Sequence, residues 1–287
     1  MKLSIIQPVN ELNTIIKRYI VVTSLEDNAN LWFLPNAGNY INFNPIIKGH
    51  VCKYNSDSEK FPISTDFNIG IKANDILKFE VSHEETVQEL PYPIIIVELQ
   101  PTGFHRLFGQ SAHDLRDKSL LLTECLKDSH ISFENLYQQP SVEEQIAFLE
   151  DKFIQLKDEP HPTLSLSTLF NEITHYINRT LQEVNVSDIL KEFSYSRSSL
   201  ERDFKKVIGF TPKEFIQISR FNVIFRDLIV NGYDYMQLEY NYFDQSHLNK
   251  AFKKFIDIPP SKLQAYVQDN DIKIYQMHPD YQVQSLT

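Results

Sequence analysis

The chain has 287 residues, a length that favours two domains over one. A hydrophobic fraction of 42% and a charged fraction of 23% are those of a globular protein, and no run approaches the ~18–20 apolar residues of a membrane-spanning helix. The two cysteines, Cys52 and Cys125, are too few and too far apart for a disulfide framework, so a reducing cytoplasm is expected. The net charge of −10 argues at first against a nucleic-acid partner, but it is unevenly spread: residues 1–162 carry 14 Lys+Arg against 23 Asp+Glu, and residues 163–268 carry 13 against 12.

In chain order, Met1 to Pro8 is too short an apolar run for a signal peptide. From Arg18 to about Gln100 short β-rich segments follow one another: Tyr19-Ile20-Val21-Val22, Leu31-Trp32-Phe33-Leu34, Tyr40-Ile41-Asn42-Phe43, Ile76 to Val81 and Ile94 to Val97. Turn residues such as Pro35-Asn36-Ala37-Gly38 and Asn55-Ser56-Asp57-Ser58 separate them, which predicts a sandwich or barrel. After Pro101 the pattern becomes helical. Gly103 to Phe108 reads as a short helix, and Ser141-Val142-Glu143-Glu144 opens a longer one with a capping-box pattern. Its Ile146, Leu149, Phe153 and Leu156 suit either a dimer seam or packing on the chain's own sheet. The charged, proline-bearing Lys157 to Pro162 reads as a linker. The expected domains are 1–160, β-rich with flanking helices, then 163–268, all helical, then a polar tail 269–287; the class is α+β.

Within the helical part the sequence repeats at an offset of 48 residues. The pairs Ser198/Ser246, Leu200/Leu248, Phe204/Phe252, Lys205/Lys253, Lys206/Lys254, Ile208/Ile256 and Pro212/Pro260 are identical. Ser196 and Asp244 are N-cap residues, so each copy opens a helix. Leu200, Phe204 and Val207 fall on one face, and Ser198, Arg202 and Lys205 fall opposite, with Lys206 beside them. In the second copy Leu248, Phe252 and Phe255 bury, and Ser246, Lys250, Lys253 and Lys254 look outward, flanked by His247 and Asn249. Each copy follows a shorter helical segment across a tight turn, Ser187–Phe193 and Asp234–Tyr240, which is helix-turn-helix geometry. Pro212 to about Val230 reads as one connecting helix. At ~1.5 Å per residue it spans ~27 Å, near the ~34 Å between successive major grooves.

The stretch from about Leu164 to Val267, a third of the chain, resembles the tandem helix-turn-helix domain of AraC/XylS-type transcription regulators. The likeness is carried by Tyr242-Phe243-Asp244-Gln245-Ser246-His247, Phe252-Lys253-Lys254-Phe255 and Pro259-Pro260-Ser261, and by Ser196 to Arg202 and Gly209 to Lys213. Asn241 stands where that family has glycine, and Leu190 and Gln237 where it has alanine. Residues 31–38 and 97–109 resemble, more weakly, the cupin-like sensor domains that precede such units. The resemblance implies a non-enzymatic regulator of promoter DNA. Its DNA contacts would be Arg197, Ser198, Arg202, Lys205, Lys206, Gln245, Ser246, His247, Asn249, Lys250, Lys253 and Lys254. RNA polymerase, a small-molecule effector and a second copy of the chain are further candidate partners, and no membrane is expected.

Each residue also has a plainer reading. An isolated lysine pair is usually solvated charge; recurrence at the same place in two copies points to DNA. Ser198 and Ser246 fit a helix's first turn as well as a base contact, and His247 fits phosphate, base or cap. His50, Cys52, His83 and His105 lack any close pair spacing, so no metal is expected, nor any other cofactor. The aromatics Trp32, Phe33, Tyr40, Phe43, Phe61, Phe67 and Phe79 suit either a ligand cavity or an inter-sheet core. The alternative function is a cupin-type binding protein or enzyme with a helical appendage, and a third reading is a protein–protein adaptor.

Overall fold

The computed structural model describes residues 2–24, 31–35, 38–44, 49–53, 56–63, 67–69, 77–81, 90–116, 118, 120–126, 129–160, 164–239, 249 and 252–274. Among these described residues eleven strands lie in chain order: β1 (Lys2–Ile6), β2 (Ile16–Ser24), β3 (Leu31–Phe33), β4 (Tyr40–Phe43), β5 (Gly49–Lys53), β6 (Ser56–Ile63), β7 (Asn68–Ile69), β8 (Leu77–Val81), β9 (Ile94–Leu99), β10 (Leu120–Leu121) and β11 (Lys273–Ile274). They form a six-stranded sheet, β1-β2-β9-β4-β7-β10, and a five-stranded sheet, β11-β3-β8-β5-β6.

The central strands β2 and β9 pair antiparallel, with Tyr19 opposite Val97 and Val21 opposite Ile95. Both are buried on two faces, which is why they read as unbroken apolar runs. One face, with Tyr19, Val21, Ile41, Phe43, Ile95, Val97 and Leu99, packs under the helices α1 (Gly103–Phe108) and α3 (Val142–Asp158). The other face buries Leu3, Ile20, Val22 and Ile94. Glu98 is buried in β9 between Arg18 (2.9 Å) and Lys17 (3.0 Å), so its charge is matched inside the sheet.

Ser141 caps α3, its hydroxyl accepting from the Glu144 N–H at 3.2 Å. Ile146, Leu149, Phe153 and Leu156 of this helix all enter the core beneath the first sheet. Of the two uses open to that stripe, the chain takes the internal one. Phe43 stacks with Phe67 and Phe133, and so belongs to the same core. The side chains of Phe61 and Phe79 lie outside the described residues.

The second half is helical: α4 (Leu164–Arg179), α5 (Val186–Glu192), α6 (Arg197–Ile208), α7 (Pro212–Glu239) and α8 (Pro260–Asp269), after the short α2 (Leu122–Cys125) of the first half. Their core gathers Phe170, Ile173, Ile177, Leu200, Phe204, Phe225, Phe252 and Leu263, and also Trp32 and Leu34 from the first half.

Two seams join the halves. The first is polar. His105 Nδ1 meets Ser167 Oγ at 2.8 Å with both residues fully buried, and Thr102 Oγ1 donates to Asn171 Oδ1. Beside these, Arg116 donates to Glu214 at 2.8 Å and lies over the Phe210 ring. The second seam is apolar. Trp32 and Leu34 sit in the helical core, Trp32 packs on Tyr266 at 6.1 Å, and Asn222 donates to the Pro35 carbonyl at 2.7 Å. Past α8, β11 pairs parallel with β3, Lys273 opposite Leu31 and Ile274 opposite Trp32. The start of the polar tail is thus a strand of the first half's second sheet.

Candidate nucleic-acid interface

The first helix-turn-helix unit is specified locally. Asn185 caps α5, accepting from the N–H groups of Ser187 (2.9 Å) and Asp188 (3.3 Å), while the Asp188 carboxylate accepts from the Asn185 N–H at 2.8 Å. This reciprocal box satisfies donors that a helix start leaves open. The turn passes through Ser194, whose φ of 53° is left-handed. Ser196 then caps α6, its Oγ accepting from the Ser199 N–H at 3.2 Å. α6 ends at Gly209, where a φ of 89° suits glycine and the N–H returns to the Lys205 carbonyl.

The faces of α6 separate as the wheel predicts. Leu200, Phe204, Val207 and Ile208 are buried, with Phe204 against Phe170 (5.5 Å) and Phe215 (5.6 Å). Arg197, Ser198 and Arg202 are exposed, and Lys205 and Lys206 are half-buried. The Arg202 guanidinium is not loose: its Nε and Nη2 both donate to the neighbouring Asp203, at 2.9 and 3.3 Å. At twelve residues α6 is ~18 Å long, enough to lie in a major groove.

α7 is the bar shared by both units. Gly232, with φ 83° and ψ 173°, breaks it into a connecting helix and a short following segment, close to the expected end near Val230. Toward the first unit, Arg220 donates to three carbonyls, Leu181 (2.8 Å), Gln182 (3.2 Å) and Val184 (2.6 Å). These are carbonyls left open after α4, and a guanidinium can fill several at once. Toward the second unit, Phe221 meets Phe252 at 5.1 Å and Phe255 at 4.5 Å. Arg220 was not among the sequence candidates, because its role depends on a loop 36–39 residues away.

In the second unit Asn249 and Lys253 are exposed. Lys254 is also at the surface, yet its Nζ donates to Gln217 of α7 at 2.8 Å and lies 5.2 Å from the Phe255 ring. Partial burial pulls its ammonium below the usual lysine range, with Glu214 opposing and Arg116 and Lys213 adding to the shift. A phosphate contact by Lys254 would have to displace the Gln217 bond. Gln245, Ser246, His247 and Lys250 lie outside the described residues. Of the residues weighed for metal, His105 serves the polar seam, and the described residues contain no group of three His, Cys, Asp or Glu placed to hold an ion.

Residues 189–266 match a family model described as a helix-turn-helix domain. No curated protein matches the chain. Among solved structures, an apo ToxT variant from Vibrio cholerae is 14% identical, with 92% of this chain and 96% of that one covered at a TM-score of 0.39. Wild-type Vibrio cholerae ToxT bound to an unsaturated fatty acid is 14% identical, with 86% and 93% covered and a TM-score of 0.37. No helix of the described residues is long and apolar enough to cross a membrane. With residues 189–266 matched and the first unit packed on α7 through Phe204 and Phe215, the helical half carries a helix-turn-helix domain.

Proposed function

We propose that this protein is a transcription regulator that reads promoter DNA with two recognition helices in adjacent major grooves, and that the β-rich half controls their placement. The observation that carries the reading is the division of α6: Arg197, Ser198 and Arg202 face solvent while Leu200, Phe204 and Val207 are buried, Phe204 against Phe215 of the shared bar α7. Bases are read by the polar groups, and Lys205, Lys206, Lys253 and Lys254 supply backbone contacts. Control through the β-rich half is supported by the seams, since the polar one grips α4 and α7 on either side of the first unit and the apolar one reaches α7 and α8 on either side of the second. A small-molecule effector that reshapes the β-rich half would then alter the spacing of both helices. RNA polymerase is the further partner a promoter-bound regulator would meet in the cytoplasm.

Selection of binding sites from a random duplex pool, followed by gel shift, tests this. The full chain should enrich one site, with affinity that falls steeply as salt rises. Arg202→Ala combined with Lys250→Ala should weaken binding by at least tenfold. Unchanged binding at physiological salt would sink the assignment of these helices.

A further inference from the structure

We propose that Asp203 is a positioning residue that holds Arg202 for recognition of one guanine in the major groove. The proposal rests on the reading of α6 as a recognition helix and deepens it.

Adjacent residues on a helix do not normally face each other, so Arg202 and Asp203 meet only because the arginine folds back. It does so with two parallel bonds, Nε to Oδ1 at 2.9 Å and Nη2 to Oδ2 at 3.3 Å. That fork geometry fixes the guanidinium plane. It uses the Nε–H and one Nη2–H, and leaves the outer Nη1–Nη2 edge free of the carboxylate. Guanine's O6 and N7 are the paired acceptors that such an edge matches.

The clamp is itself built. The Asp203 side chain is only 15% exposed, against 72% for Arg202. The Asp203 carboxylate is close enough to the Tyr195 hydroxyl to act on it electrostatically. Burial, then that carboxylate, raises the Tyr195 hydroxyl above its ordinary value, so it remains a donor at neutral pH. The Tyr195 ring stands edge-on to Phe170 at 6.2 Å, and its N–H donates to the Leu190 carbonyl at 3.1 Å.

Charge separates a base role from a phosphate role. A carboxylate beside a phosphate-binding arginine repels the ligand and cancels the cation. Beside the neutral edge of guanine it costs little, and it removes rotamer freedom that Arg202 would otherwise lose on binding.

The test uses the full chain and the site it selects. Affinities of the wild type, Asp203→Ala, Asp203→Asn, Tyr195→Phe and Arg202→Ala are measured at one salt concentration for that site, its single-base-pair variants and unrelated DNA. The wild type should prefer guanine at one pair by roughly 10- to 100-fold, and Arg202→Ala should flatten that preference. Asp203→Ala and Asp203→Asn should lower it about tenfold at the same pair alone, with unrelated DNA bound as well or better. Tyr195→Phe should shift it the same way by less. Full preference in both Asp203 variants, or a loss spread evenly over all pairs, would overturn the proposal. If Arg202→Ala leaves every preference intact, the reading of α6 beneath it has failed instead.

Discussion

The two seams hold the helical half by different physics. The polar seam meets α4 and the start of α7, the helices that flank the first helix-turn-helix unit, through directed bonds: His105 to Ser167, Thr102 to Asn171, and Arg116 to Glu214. The apolar seam reaches α7, α8 and the second unit through buried surface, with Trp32 and Leu34 in the helical core and β11 added to β3. Directed bonds fix orientation but contribute little net stability, because water offers similar bonds to the separated groups. Buried aromatic surface contributes more and tolerates small shifts. The first unit is therefore held in register, and the second is held in contact.

The sharpest way to break this contrast is Trp32→Ala. Removing a side chain that is 2% exposed should cost about 3–5 kcal/mol and loosen the second unit, read as a lower denaturation midpoint and earlier proteolysis after α7. A cost below about 1 kcal/mol would mean that the apolar seam does not carry the joint.

Next in size is His105→Leu, which strands the fully buried Ser167 hydroxyl and should cost about 1–3 kcal/mol. Adding Ser167→Ala should recover part of that loss, because an apolar pair leaves no polar group unmatched. Strictly additive losses would show that the two residues are not coupled.

The smallest effect belongs to Arg116 and Glu214. Burial alone would raise the Glu214 carboxyl, but hydrogen bonds from Arg116 and Thr211, together with the guanidinium charge, hold it at about 2. A carboxyl depressed in the folded state stabilises it above its ordinary value of 4.5, and that contribution is lost as pH falls from there toward 2. With a quarter of each side chain exposed, solvent screening leaves roughly 1 kcal/mol. Stability measured from pH 6 down to pH 3 should fall less in Arg116→Ala than in the wild type, and parallel curves would remove Glu214 from the seam.

These differences mark how far the sequence could be read. The strands β2 and β9 were legible because burial on both faces leaves a continuous apolar run. The α6 cap at Ser196 and its buried Leu200, Phe204 and Val207 were legible because caps and helical periodicity are local. Trp32 was legible as an interior residue, but not which interior it enters. His105 has no assigned role in the sequence until Ser167, 62 residues on, is brought against it. The two residues of β11 have no pattern of their own, since a strand that short exists only through its partner.

The sequence by itself determined the first helix-turn-helix unit, the division of α6 into buried and exposed faces, and the β-rich half ahead of them. Each follows from spacing within about a dozen residues, where backbone periodicity dictates the face a side chain occupies. Only the tertiary structure decided that Arg220 fills three carbonyls, that Lys254 turns to Gln217, and that the end of the helical half closes a sheet of the β-rich half. Those contacts join residues far apart in the chain, and no local periodicity encodes which distant donor meets which acceptor.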